Sequence, residues 1–325
     1  MSFIVIDVGG TNIRFGYAET EIAPLSEIKN LTCADFPSIE DAINAYFHTL
    51  PSNVISKITA TCIAVAGPMM GDHVDVTNNH WQFSKSKLLT HLPSDDLLVI
   101  NDFAAQALAQ INPESTGNQP ILQGNSRADA PLLVIGPGTG LGVAALMPAH
   151  QNHAVIEGEG GHVYFTPRDD LEREIEAFLR KIHGFVSAEH VISGPGLEAI
   201  YQFLCHRDGV RHDNDTAAQI GFAAMNNDLR ARQAVLVLFN ALATVMANNI
   251  LTMGCWRGAV IAGGIIPRLV PLFQESQFKE RFCSAGVMSD ILEKIPVWLA
   301  TDPLTGLHGA RNAIASSISM ARIQI

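Results

Sequence analysis

The sequence predicts an α/β protein of two domains, and three observations carry that expectation. The chain has 325 residues, past the roughly 250 at which single cores stop growing. Short apolar runs that fit buried strands, such as Phe3-Ile4-Val5-Ile6, alternate with stretches at helical spacing, such as Leu171, Ile175, Phe178, Leu179 and Ile182. A strand–glycine turn–strand unit also occurs twice, once at each side of the chain's first third.

The first unit spans residues 3–18. The apolar run ends on Asp7, and after Val8 the residues Gly9-Gly10-Thr11-Asn12 make a tight turn. Ile13, Phe15 and Tyr17 then alternate with Arg14, Gly16 and Ala18, as in a half-buried strand. A hairpin with a carboxylate at its mouth follows. Its successive N–H groups can face a phosphate without side-chain interference, although Gly-Gly is also a plain turn signal. The second unit separates the two readings.

Composition narrows the function class. Hydrophobic residues make up 47% and charged residues 16%, below the roughly 25% charged of ordinary soluble proteins. That is the composition of a globular chain with a large core. The net charge is −11 with no basic run, which argues against nucleic acid and anionic membrane as partners. A phosphorylated ligand would have to be held by backbone amides, hydroxyls and a divalent cation. The five cysteines (Cys33, Cys62, Cys205, Cys255, Cys283) stand far apart, as buried thiols in a reducing compartment do. No signal-like segment precedes the first strand, and the most apolar stretch, residues 234–247, is interrupted by Asn240 and too short to span a membrane. A soluble cytoplasmic protein is expected.

In chain order, residues 38–50 (Ile39, Ala42, Ile43, Tyr46, Phe47) have helical spacing, and residues 60–66 form a buried strand ended by Gly67-Pro68. The polar segment at 71–84 contains Thr77-Asn78-Asn79-His80-Trp81. It reads either as a surface hairpin or as a sugar-facing loop, with amides for hydroxyls and an aromatic for a ring face. Leu97-Leu98-Val99-Ile100 is a strand with Asn101-Asp102 at its C-terminal end, where ligands of α/β sheets bind. A helix begins at Phe103, so Asp102 is either a catalytic carboxylate or the helix N-cap.

Residues 112–131, rich in Pro, Gly, Asn and Ser, form the expected boundary loop. Leu132-Leu133-Val134-Ile135, Gly136-Pro137-Gly138-Thr139-Gly140 and residues 141–146 make the second strand–glycine loop–strand unit. Neither unit has the Gly-Lys-Ser/Thr ending of a Walker A loop, and neither turn runs into a helix as dinucleotide fingerprints do. Two such hairpins fit two related halves that clamp a polyphosphate. Gly158-Glu159-Gly160-Gly161-His162 is too glycine-rich for a helical metal pair and fits a loop offering a carboxylate and an imidazole to a polyol. Glu189, in Ser187-Ala188-Glu189-His190, reads by itself as a solvated helix residue, and Ser193-Gly194-Pro195-Gly196 opens a helix. A strand at 259–262 ends at Gly263-Gly264, with a helical run at 265–273, a strand at 296–300 and a closing helix at 306–323.

These stretches together resemble the bacterial ATP-dependent glucokinases of the non-ROK type, within the superfamily of sugar kinases, actin and heat-shock chaperones. The matching motifs are Asp7-Val8-Gly9-Gly10-Thr11-Asn12, Ile100-Asn101-Asp102-Phe103, Gly138-Thr139-Gly140-Leu141-Gly142, Gly158-Glu159-Gly160-Gly161-His162, Ser187-Ala188-Glu189, Ser193-Gly194-Pro195-Gly196 and Ala262-Gly263-Gly264, in order over nearly the whole chain. The resemblance implies a two-domain ribonuclease H-like, actin-like ATPase fold with the active site in the interdomain cleft. A small domain of residues 1–112 plus 304–325 and a large one of 113–303 are expected. It implies that residues 7–12 (Asp7, Val8, Gly9, Gly10, Thr11, Asn12) and Gly138, Thr139 and Gly140 bind the phosphates of ATP, with Gly263 and Gly264 by the adenosine. Asp102 would take the proton of the sugar's 6-hydroxyl, Asn101, Glu159, His162 and Glu189 would bond the other hydroxyls of glucose, and Asp7 would meet Mg2+ through water. A homodimer is usual in the family. Glu157 stands where many relatives have proline, so a looser backbone and an extra charge are expected beside the sugar loop.

The chemistry agrees with the residue types. Phosphoryl transfer asks mainly for positioning and charge stabilisation, and water must be kept out so that ATP is not hydrolysed. Two alternatives stand beside the glucokinase reading. An actin-like or chaperone-like ATPase would not need Glu159, His162 and Glu189 together. The second, a kinase for another hexose or amino sugar, includes the ROK-type kinases and repressors for amino sugars, which carry a cysteine-rich zinc site that this sequence does not spell.

Overall fold

In the computed structural model, which describes residues 2–67, 69–114, 116–149, 152–211, 213 and 215–316, the first glycine unit is an antiparallel hairpin. Strands β1 (Ser2–Val8) and β2 (Asn12–Ala18) pair so that Asp7 stands opposite Arg14. β1 also pairs in parallel with β4 (Ile58–Val65), so it is covered on both edges, and Ile4, Val5 and Ile6 are fully buried. That burial is why β1 reads as an uninterrupted apolar run rather than an alternating one. β3 (Ser26–Thr32) pairs with the outer edge of β2. Its sequence, SEIKNLT, has only two apolar residues and gave no strand signal.

Contacts divide the chain into two units, and the first is Met1–Asn112, Leu146–Glu157 and Asp302–Ile325. Its main sheet has the order β3-β2-β1-β4-β8, where β8 is Asp96–Asn101 and lies parallel to β4. The helix Ile39–Phe47, capped by the Ser38 side chain, packs Ile39, Ala42, Ile43 and Tyr46 on this sheet, and the Tyr46 ring stacks on Phe15 at 4.4 Å.

Between β4 and β8 lies a small sheet of β5 (Met69–Met70), β6 (His73–Asp75) and β7 (Gln82–Ser84). The aromatic part of the sugar-facing reading of this segment does not hold. Trp81 is buried at 2% exposure, with its indole N–H donating to Phe36 O, so it is a core residue and offers no ring face to a sugar. The closing helix is Thr305–Ala315, and residues 317–323 of the expected helix lie outside the described residues. It packs on the helix Asp102–Leu108 so closely that a Cβ on Gly309 would meet the Ala105 backbone.

The second unit is Pro113–Ala145 and Gly158–Thr301. The expected boundary loop contains a strand, β9 (Gln119–Leu122), which pairs antiparallel with β14 (Val297–Leu299). Only Ile121 and Leu122 are apolar there, and pairing with an otherwise open edge supplies what local pattern does not. The second glycine unit is β10 (Leu132–Pro137) and β11 (Leu141–Ala149), hydrogen-bonded neighbours, and β12 (Asn152–Gly158) follows. Leu146–Glu157, the far end of β11 and most of β12, is grouped with the first unit. Glu157 therefore sits in a strand, not in the loosened backbone expected from its replacing proline. With β13 (Gly258–Ile261), the sheet order is β12-β11-β10-β13-β14-β9.

The two sheets share one plan. A three-strand meander (β1 to β3, β10 to β12) is followed by two further strands, and in both sheets those two run parallel to the meander's first strand. The duplication hinted at by the two glycine turns is therefore topological. The core of the second unit is the 25-residue helix Leu229–Met253, 78% buried over its most apolar window and ended by Gly254 in a left-handed conformation. The helical run expected at 265–273 is broken into a 3-10 turn, Ile266–Arg268, and one α-turn, Val270–Phe273. Pro267 and Pro271 lack the N–H groups that a continuous helix needs.

Candidate active site

In the first unit, the Gly9–Asn12 turn is closed by Gly9 N–H donating to Asn12 O at 2.9 Å, and Asn79 Nδ2 donates to Gly9 O at 3.2 Å. A cavity of about 380 Å3 opens beside it, lined by Gly10, Thr11, Cys33, Ala34, Asn78, Asn79 and His80. Asp7, with 13% of its side chain exposed, sits just before this turn, and Arg14 Nη1 lies 3.1 Å from its Oδ2. Burial raises the Asp7 carboxyl above its ordinary range, and Arg14 only partly opposes that rise. Gly306, at the start of the closing helix, backs directly onto Asp7: a Cβ there would stand 2.7 Å from its Cγ.

Asn101 and Asp102 end β8 and begin the next helix, as their position after Leu97-Leu98-Val99-Ile100 requires. The helix cap is Asn101. Its backbone is extended, and its Oδ1 accepts from Phe103 N at 2.8 Å and Ala104 N at 3.3 Å. Asp102 is the first helical residue, with Oδ1 accepting a second, weaker share of the same Phe103 N–H at 3.0 Å. The cap reading of Asp102 thus passes to Asn101, whose carbonyl oxygen is committed and whose Nδ2 group remains the donor that can meet a ligand.

In the second unit, Glu189 joins two loops that are far apart in sequence. Its Oε2 accepts from Leu141 N at 2.8 Å, next to the Gly138–Gly140 turn, and its N–H donates to Gly161 O at 2.9 Å. A Cβ at Gly140 would meet the Glu189 carboxylate, so the glycine leaves that group its place. The reading of Glu189 as a solvated helix residue is corrected by these contacts: it lies in a turn ahead of the helix Gly194–Arg207. Gly194 N–H donates to Gly138 O at 2.8 Å, so that helix's first turn also supports the glycine loop.

Glu159 and His162 stay in the glycine loop, exposed, with His162 Nε2 3.8 Å from Glu159 Oε2. Gly263 has φ +86° and a Cβ there would crowd Pro137 O, while Gly264 has open space around its Cα. The second glycine loop, Gly263-Gly264, Glu159, His162 and Glu189 therefore belong to one unit, and residues 7–12, Asn101 and Asp102 to the other.

Sequence reasoning named Asn79 only as an amide of a sugar-facing loop and passed over Arg14 and Gly306. Arg14 was legible in principle, since the hairpin register puts it opposite Asp7. Asn79 and Gly306 reach the turn and Asp7 from distant parts of the chain, and no local pattern marks such contacts.

A glucokinase family profile matches residues 4–317. The chain belongs to the glucokinase family. Among the family's curated members, the glucokinase of Pseudomonas aeruginosa is 37% identical over 317 residues, 97% of this chain and 95% of that one. The glucokinase of Hahella chejuensis is 36% identical over 312 residues, 96% of each chain. The crystal structure of glucokinase from an Antarctic psychrotroph superposes with a TM-score of 0.84 at 33% identity, covering 97% of this chain and 98% of that one. The fold is that of these kinases, the actin-like α/β fold with its repeated meander sheets.

Proposed function

We infer that the chain is a glucokinase, an ATP-dependent hexose kinase that transfers the γ-phosphoryl group of ATP to the 6-hydroxyl of glucose, giving glucose 6-phosphate and ADP. The observation that carries the reading is the family match over residues 4–317, which takes in every motif residue described above.

In this reading Asp102 accepts the 6-hydroxyl proton as that oxygen bonds to the γ-phosphorus and the bond to the ADP oxygen breaks. It sits in a helix's first turn, where a negative charge is favoured, and a general base acts through its unprotonated form. Asn101 offers Nδ2 to a hydroxyl. Glu159, His162 and Glu189 bond the remaining hydroxyls, and Glu189's second bond to Leu141 N–H couples sugar recognition to the phosphate loop. The N–H groups of the Gly9–Asn12 and Gly138–Gly140 turns face the phosphates, and Gly263-Gly264 lets the nucleoside approach the backbone.

Magnesium, arriving with the nucleotide, would neutralise phosphate charge. Asp7 fits a role beside it: one carboxylate plus phosphate oxygens and waters is the donor set that this ion takes. Its buried carboxyl, only partly offset by Arg14, favours a further positive charge nearby. The same reading takes the protein as a cytoplasmic homodimer. Its cysteines support a reducing compartment: all five are unpaired, and burial raises the Cys62 and Cys255 thiols, the latter to about 12.

A coupled assay with ATP and magnesium across a panel of hexoses tests the proposal. ADP is expected only when a hexose is present, with glucose the best. A chelator should abolish activity, and magnesium alone should restore it. Brisk ATP hydrolysis without sugar would overturn the kinase reading in favour of an actin-like ATPase. Best activity on an amino sugar would move the substrate, and recovery only with zinc would remove magnesium.

A further inference from the structure

The turn that carries Glu189 is closed by the side chain of its neighbour, His190. Nδ1 of His190 lies 3.1 Å from Ser187 N. A main-chain N–H only donates, so this nitrogen accepts, and the imidazole carries no proton there. In return, His190 N–H donates to Ser187 Oγ at 3.4 Å. The ring also lies face to face with His183, the last residue of the helix Asp170–His183, with centroids 4.2 Å apart and planes 11° from parallel. Glu189, one residue earlier, has its own main chain held by Gly161 O and, through its carbonyl, by Ser193 Oγ at 2.7 Å.

Three titratable groups face this imidazole: Glu189 from its own turn, His183 from the helix and His162 from the glycine loop. Burial lowers the His190 pKa below its ordinary value, the two other imidazoles push the same way, and Glu189 opposes them. Protonation at Nδ1 would set two donors against each other across the Ser187 bond. It would also place a charge against the stacked His183 ring.

We propose that His190 is a positioning residue for the sugar: unprotonated, it holds the 187–190 turn so that Glu189 meets glucose, and its protonation loosens that turn and weakens glucose binding. The inference rests on the reading of Glu189 as a glucose ligand. Because Asp102 lies on a different element, loosening the turn raises KM for glucose and leaves kcat in place.

The test is KM for glucose and kcat, measured for the whole protein from about pH 5 to 8, across the range where imidazoles titrate. In the wild type, KM is expected to rise as pH falls through a midpoint below the ordinary histidine value. His190→Ala removes the acceptor, and its KM should be raised roughly two- to tenfold, the worth of one hydrogen bond, and show no acid rise. His190→Asn puts a non-titrating Oδ1 near the place of Nδ1 and should restore a low KM that stays flat into acid. Thermal melting is followed alongside; if His190→Ala does not fold, the wild type and His190→Asn decide by their pH profiles. The same acid rise in KM for both, or a folded His190→Ala with unchanged KM, overturns the inference while the kinase reading stands. A wild type that releases no ADP in response to any hexose overturns both.

Discussion

Asp102→Asn separates chemistry from helix capping, because the structure gives the cap to Asn101 and the proposed base is its neighbour. Asn101 Oδ1 accepts two main-chain N–H groups of the helix Asp102–Leu108, whereas Asp102 Oδ1 only shares one of them at 3.0 Å. An asparagine at 102 keeps that oxygen and loses a negative charge in the first turn, a change worth about 0.3–1 kcal/mol of stability. If Asp102 is the general base, kcat should fall by about 10²–10⁴, with ATP affinity and fold retained. Asn101→Ala is the mirror experiment. It removes the cap, should cost about 0.5–2 kcal/mol, and should raise KM for glucose without abolishing turnover. The assay is kcat, KM for both substrates and thermal melting of the two variants side by side. An Asp102→Asn enzyme within a few-fold of wild-type kcat would refute the assignment of the base. A melting loss as large as that of Asn101→Ala would refute the division of labour.

Gly140→Ala should push the Glu189 carboxylate out of its place beside Leu141 N–H; KM for glucose is expected to rise with little change in melting, since the displaced group is the end of a flexible side chain, and an unchanged KM would separate Glu189 from the sugar. Trp81→Ala should destabilise the fold by about 3–5 kcal/mol, as loss of a buried aromatic does, with no selective change in KM for glucose measured well below its melting temperature. A large, selective rise in that KM would return Trp81 to the sugar site.

Much of the fold was legible because its strands are buried on both faces. β1, β4, β8 and β10 read as continuous apolar runs bounded by Gly, Pro, Asn or Asp. The strands that were missed, β3, β9 and β12, lie at or beside sheet edges, where pairing rather than local composition makes the strand. The helix broken at Pro267 and Pro271 was read from its apolar content alone, although the prolines were in plain view. At the site, residue types at strand ends pointed to Asp7, Asn101 and Asp102. The identity of the cap was not legible, since Asn and Asp compete equally for it in sequence and only the Oδ1 geometry decides. Glu189 was legible only through the family resemblance. The hydrogen bond that gives it a place spans 48 residues, beyond the reach of any periodicity.

The two meander sheets also differ in a way that bears on where charge is handled. Two residues before the first turn glycine, the first hairpin has Asp7 (before Gly9) and the second has Gly136 (before Gly138). A Cβ at Gly136 would stand 2.6 Å from the Ala262 carbonyl carbon, because the chain leaving β13 closes over that point. No carboxylate can occupy the second hairpin's equivalent position without moving the segment that leads into Gly263-Gly264. In the first hairpin the corresponding space is kept open from another direction: Gly306 has no side chain, so the closing helix can approach and leave room for the carboxylate. The carboxylate of the second glycine loop comes instead from Glu189, and one of its oxygens is occupied by Leu141 N–H. One topological plan has thus been packed into two different devices. The first is a hairpin with its own acid, buried opposite Arg14 and backed by Gly306. The second is a bare glycine turn whose neighbouring acid is borrowed from a distant turn, tied to Leu141 N–H and, through its main chain, to Gly161 O.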